Sequence, residues 1–201
     1  MKIYSKYIEN AVDQISSLPG IGKRTALRLV IELLKRSNEE IEDFSNSFVL
    51  MKENIKKCQI CHNISDTDIC PICSDKNRDQ NLICVVEDIR DILAIEATQS
   101  YKGVYHVLDG IISPMDGIGP KDLNINSLIE RAKNESVKEI IFALSATMEG
   151  DTTNFYLYRK IKDLNIEISS LSRGVSVGSE LQYADEITLS RSLLNRQPFV
   201  I

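Results

Sequence analysis

No run of apolar residues in this chain approaches the roughly 20 needed to carry a helix across a bilayer, so a membrane-spanning helix is not expected. Positive charge is not in excess either. The 201 residues carry a formal net charge of −5, which argues against a general basic coat for nucleic acid. Nothing like a secretion signal opens the chain: MKIYSKYIENAVDQI is amphipathic and charged, without a continuous apolar core. A reducing, cytoplasmic setting is therefore expected. Cysteine is scarce, five residues in all, so where those five fall carries weight. What remains, 43% hydrophobic and 26% charged, is the make-up of an ordinary globular protein with room for one large domain or two to three small ones.

Four of the five cysteines form two pairs of Cys-x-x-Cys, Cys58/Cys61 and Cys70/Cys73, eight residues apart. A two-residue spacer lets both thiolates of a pair turn onto one ion, and two such knuckles supply the four soft ligands of a closed tetrahedral zinc site. The alternatives are two disulfides or clustered free thiols, and a reducing compartment favours metal over disulfide. His62, beside Cys61, is a substitute ligand on paper. With four cysteines filling the shell it is expected at the surface. The intervening loop holds Asp66 and Asp68 and no Lys or Arg, poor equipment for meeting phosphate, so one structural Zn2+ stapling a joint is expected.

The net charge hides an asymmetry. Up to residue 36 there are seven Lys or Arg against three acids, a balance of +4, which leaves −9 for the rest. That basic head reads as a first helix over 5–16, a break at Pro19-Gly20 and Gly22, and a second helix from Lys23 to Arg36. Gly20 and Gly22 permit a tight turn and close approach to a phosphate. Lys23, Arg24 and Arg28 lie at the positive end of the second helix's dipole. The arrangement resembles a helix-hairpin-helix, which implies sequence-independent DNA contact. A plain helical turn whose glycines allow close packing is the other reading, and the spacing is not that of a Walker A loop. Ser37 followed by Glu40 forms a capping box for a third helix over 38–55. Its seam of Ile41, Phe44, Phe48, Met51 and Ile55 must pack on something.

From Leu82 the period changes. LICVVE (82–87) has the look of a strand buried on both faces. A helix over 88–98, a strand over 102–108, a glycine-rich loop, a helix starting at Asp122 or Asn126, a strand over 139–144, a helix over 152–164 and a strand over 166–172 follow. Strand and helix alternate, which predicts an α/β domain with a mostly parallel sheet and helices on both faces. DEITLS (185–190) and a closing PFVI form the tail. Ligands gather at the carboxyl ends of such strands. Glu87 ends the first strand, and Glu149 and Asp151 follow the third. That pattern resembles a Toprim domain, whose acids hold Mg2+ through oxygen ligands. Acids in such loops also serve as helix caps, as Asp151 could for the helix over 152–164.

The order of these parts resembles, over nearly the whole chain, the RecR family of bacterial recombination mediators. The resemblance rests on LPGIGKRTALRL, the cysteine spacing, VLDGIISPMDGIGPKDL, ATMEGDTT and SRGVSVGSELQYADEITLSRSL with its closing RQP. It implies four parts: a helix-hairpin-helix DNA-binding and oligomerisation region (1–56), a four-Cys zinc finger (57–74), a Toprim domain (80–175) and a C-terminal segment for subunit contact (176–201). It further implies a nucleoid-associated DNA-repair protein with no catalysis of its own. On that reading a homo-oligomer, dimer to tetramer ring, clamps DNA and acts with RecO and RecF to load the recombinase at single-strand gaps. One departure matters. A catalytic Toprim pairs two aspartates, whereas here the first is Glu149, and the nucleophile-bearing domain of a topoisomerase is absent. The acids therefore read as a docking platform for a basic partner, with Mg2+ an open alternative, and Arg173, Gly174 and Gly178 are candidates to lie near them. The competing class is a metal-dependent Toprim nuclease or primase-like enzyme.

Overall fold

A computed structural model describes residues 5–196 and residue 198. Of the closing RQP and PFVI, positions 197 and 199–201 lie outside the described residues. The chain divides into two units between Ile55 and Lys56.

In the first unit, Ser5 caps α1 (Lys6–Ser16) by accepting the Ile8 N–H. Helix α2 (Lys23–Leu33) starts behind Gly22. The two pack through Val12, Ala26 and Val30, flanked by Ile8, Ile15, Ile21 and Leu27. These are the apolar stripes set by the helical repeat. Gly20 turns the chain with φ 79°, a left-handed conformation that glycine adopts without steric cost. Helix α2 stops three residues short of the expected Arg36. Ser37 has to leave the helix to cap α3 (Asn38–Asn54), and the last turn tightens as the Arg36 N–H bonds to the Leu33 carbonyl. The Ser37–Glu40 capping box forms in both directions, at 2.8 and 3.2 Å. Helix α3 buries none of its residues fully: of its apolar seam Ile41 is half-buried, while Phe44, Phe48 and Met51 are exposed.

The second unit opens with a two-stranded antiparallel ribbon, β1 (Lys56–Lys57) with β2 (Ile64–Ser65), and the single turn α4 (Pro71–Ser74). There follow β3 (Asp79–Val86), α5 (Ile89–Ala97), β4 (Gly103–Val107), α6 (Ile125–Ala132), β5 (Glu139–Phe142), α7 (Met148–Ile161), β6 (Glu167–Ser170) and α8 (Glu186–Leu194). The four strands from β3 to β6 form one parallel sheet in the order β4-β3-β5-β6. Alternation along β3 fills both faces. Ile83 and Val85 join Leu128 of α6 and Leu157 and Ile161 of α7, while Cys84 and Val86 join Ile92 of α5. Helices thus cover both faces, as expected of a parallel sheet.

Two helix starts in this unit depart from sequence expectation, and the tail, left without an assigned structure, forms a helix. Helix α6 starts behind Asn124 rather than at Asp122 or Asn126, because the Asp122 carboxylate accepts the Gly119 N–H at 2.8 Å and belongs to the preceding turn. Helix α7 is capped by Thr147, whose hydroxyl accepts the Gly150 N–H at 3.1 Å, so Asp151 lies inside the first turn and is not the cap. DEITLS is helical, opened by Asp185, which takes the Thr188 N–H.

Candidate functional site

The cysteines come together. Cys58, Cys61 and Cys70 are buried and Cys73 half-buried, with all four sulfurs within 4.8 Å of one another. The Cys61 and Cys70 sulfurs are 3.5 Å apart. A tetrahedral Zn2+ with bonds of about 2.3 Å holds its sulfurs about 3.8 Å apart, so the cluster has the size of a zinc shell. Local structure makes it so. The Cys58 carbonyl accepts the His62 N–H at 2.9 Å, folding the first knuckle, and the Cys70 sulfur accepts the Cys73 N–H in the first turn of α4. The charge balance also fits a cation. Hydrogen bonding from Cys73 holds the Cys61 thiol down at about 5, whereas burial pushes Cys70 up to about 11. Cys73 is raised as well, by its bond to Cys61. Four thiols this close ionise together only around a metal. They hold one structural Zn2+, with no open position for chemistry.

The module is sewn to the sheet. The Val107 N–H of edge strand β4 donates to the Cys61 carbonyl at 2.8 Å, Lys57 pairs with Asp109, and Ile72 packs against both the cysteines and the α5 face. His62 is not a surface residue. It is half-buried at φ 62°, its Nε2 2.8 Å from Ser127 of α6, because the knuckle ends in a left-handed turn that aims the ring inward.

The carboxyl ends of β3 and β5 flank the point where the strand order reverses, the usual ligand crevice of such sheets. Glu87 stands at the end of β3, where burial, then Asp91 and Asp88, push its carboxyl above the ordinary glutamate range. Asp88 and Asp91 are consumed locally: together they form the capping box of α5. Glu149 and Asp151 lie in the first turn of α7. Asp151 is taken up by two arginines, Arg173 at 2.6 Å and Arg191 of α8 at 3.3 Å. Arg173 foremost holds its carboxyl below the ordinary aspartate range. Sequence reasoning missed Arg191, which carries no local signal. Among the described residues the four cysteines are the one gathering of three or more ligand-type side chains close enough for an ion. Glu87, Glu149 and Asp151 do not converge as three ligands of Mg2+.

In the first unit, Gly20 and Gly22 face open space. Among the described residues a Cβ built on either meets nothing within 4 Å, so neither glycine serves packing between these two helices. Among the described residues no side chain caps α2, leaving the first-turn N–H groups outward. Lys23, Arg24 and Arg28 are exposed on this end. Lys23 is engaged by Asp13 of α1 at 3.1 Å, a pairing the charge count did not anticipate.

These features define a zinc-stapled Toprim protein with a helix-hairpin-helix head. Family models match in the same order: RecR, helix-hairpin-helix at 8–50; RecR, four-cysteine zinc finger domain at 55–75; Toprim domain at 81–172; and RecR, C-terminal at 174–197. The chain is 59% identical to the recombination protein RecR of Flavobacterium psychrophilum, across 99% of this chain and 97% of that one. It is 60% identical to that of Flavobacterium johnsoniae over the same shares, and 55% to that of Bacteroides thetaiotaomicron over 97% and 95%. The chain belongs to the RecR family.

Proposed function

We propose that the chain is a DNA-binding mediator of recombinational repair, a binding protein rather than an enzyme. It assembles as a ring-like homo-oligomer around DNA and acts with RecO and RecF to load the recombinase at single-strand gaps. One observation carries the reading: Gly20 and Gly22 leave open space in front of an uncapped helix end with Arg24 and Arg28 exposed beside it. A phosphate can approach there until it meets backbone N–H groups and the helix dipole, with the arginines adding charge-assisted bonds. Such contacts position the protein and read no sequence. The apolar face of α3, with Phe48 and Met51 more than half exposed, supports subunit contact. The pairing of Asp151 with Arg173 and Arg191 supports docking over metal-dependent catalysis, with Glu87 and Glu149 left to face a basic partner.

Arg24→Ala with Arg28→Ala should weaken binding to duplex and gapped DNA alike. It should also flatten the plot of log affinity against log salt by about 0.9 for each phosphate no longer neutralised. Lys23→Ala alone should do less, since Asp13 already holds that ammonium. Unchanged affinity in the double variant would sink the DNA-binding assignment. Cleavage or joining of DNA in Mg2+, abolished by Glu87→Gln, would make the chain an enzyme instead. A strict monomer by light scattering, with and without gapped DNA, would remove the ring.

A further inference from the structure

Four thiolates on one Zn2+ leave the centre dianionic, and a buried anion is costly unless cationic charge or hydrogen-bond donors lie near it. Most cations around the module are already matched. Lys56 pairs with Asp68, Lys57 with Asp109, and Arg78 with Glu96, while Lys76 is exposed. Arg131, in the last turn of α6, is different. It is half-buried, and among the described residues no carboxylate lies within 4.0 Å of it. Its Nη1 donates to the Tyr105 carbonyl at 2.8 Å and sits 3.3 Å from His106 Nδ1.

That second contact fixes the state of His106. A guanidinium only donates, so Nδ1 must accept, and the ring proton sits on Nε2, which donates to the Asn124 carbonyl at 2.8 Å. His106 is fully buried and stays neutral, its pKa driven down to about 3 by burial. Its ring meets that of His62 edge to face at 5.3 Å. His62 directly follows the ligand Cys61 and bonds Ser127, whose hydroxyl donates to the same Asn124 carbonyl at 3.0 Å. A continuous path therefore runs from the first knuckle through two imidazoles to Arg131, crossing from the zinc module into β4 and α6.

We propose that Arg131 is the cationic partner of the zinc-bearing cysteine cluster, so that metal binding and the packing of α6 on β4 are one cooperative event. Burial lowers the Arg131 pKa, and the sulfurs of Cys73, Cys61 and Cys58, in that order, push it back up, the sense expected of such a partner. Residues behind the first ligands set metal affinity elsewhere, at about 10- to 100-fold each.

Zinc content of the native protein comes first: its absence would refute the zinc site itself, which is a separate failure. With zinc present, Arg131→Met keeps the stem and removes the charge, and should weaken zinc about 10-fold or more in competition with a chromogenic chelator. Arg131→Lys restores the charge and should remain close to native. Native affinity in folded Arg131→Met, or equal loss in both variants, overturns the proposal. Should Arg131→Met fail to fold, hydrogen exchange on the unaltered chain decides. Stripping zinc should deprotect residues 103–107 and 125–132 while the β5 amides 139–142 hold. An α6 indifferent to zinc removal overturns it.

Discussion

Serine in place of Cys61 will leave the purified protein without zinc and unfold the stretch from Lys56 to Ser74. The sulfur lost is among the most buried atoms of the module, with Cys61 only 1% exposed. A serine hydroxyl at that point offers a hard, protonated oxygen where a soft thiolate is needed. Little else holds the segment together: its core consists of Cys58, Cys61 and Cys70, with Ile72 and Cys73 packed on them. A unit that small has no apolar interior to fall back on. In peptides of this kind structural zinc binds with about 10–16 kcal/mol, and that binding energy is folding energy. The damage should reach the sheet through one bond, because the Val107 N–H loses its acceptor when the Cys61 carbonyl moves. Metal analysis should therefore find far less than one zinc per chain. Limited trypsin digestion should open at Lys56 and Lys57, which are exposed at the start of the module and held now by Asp68 within it and by Asp109 at the end of the sheet. Cys84→Ser is the control. That thiol lies in the sheet core, outside the cluster, so its loss costs packing and leaves the zinc in place. A Cys61→Ser protein carrying stoichiometric zinc would falsify the four-ligand assignment.

Why the zinc site was legible while the acidic site was not is a matter of range. Both cysteine pairs are local, each fixed by a two-residue spacer, and the two knuckles lie only eight residues apart. The helix-hairpin-helix is legible for the same reason: Gly20, Gly22 and the Ser37–Glu40 box act within a turn of themselves. Strand β3 announces itself by an apolar run, since it fills both faces of the sheet. The fate of Asp151 is set otherwise. Read locally, an acid ahead of a helical stretch is a cap, but Thr147 takes that role four residues earlier, and the carboxylate is claimed by Arg173, which the sequence offers as a neighbour of these acids, and by Arg191 from α8, which it does not. His62 misleads in a similar way. A polar residue in a cysteine loop looks exposed, and only the left-handed turn after Cys61, together with Ser127 and His106, draws it in. Arg131 had no local signal at all, being one basic residue on an amphipathic helix until His106 and Tyr105 are seen against it.

The glycine between Glu149 and Asp151 is the second place where one atom should have a large effect. Gly150 is buried in the first turn of α7, and its conformation is ordinary helix, so φ does not demand glycine there. Space does. A Cβ on Gly150 would lie 2.0 Å from the Ser145 carbonyl oxygen and 3.0 Å from its carbon. Both are backbone atoms just beyond β5 and cannot swing aside as a side chain can. Alanine gains about 1 kcal/mol over glycine in an open helix, but overpacking of this kind typically costs about 1–3 kcal/mol, occasionally more. An approach this close to backbone atoms puts Gly150→Ala at the upper end, so the overlap wins and the urea midpoint should fall. The first turn must then lift off, taking with it the Thr147 cap and the carboxylate that Arg173 and Arg191 grip. Two comparisons separate these effects. Arg191→Met removes one half-exposed ion pair without any clash, which is worth about 0–1 kcal/mol, and should loosen α8 to proteolysis while barely moving the midpoint. Gly22→Ala meets nothing within 4 Å at an ordinary φ of −80°, so its midpoint should stay near native, and any defect it shows should be in DNA binding. A native midpoint for Gly150→Ala would mean that the turn after β5 yields easily, and that Glu149 and Asp151 are not held by the close approach of Gly150 to Ser145.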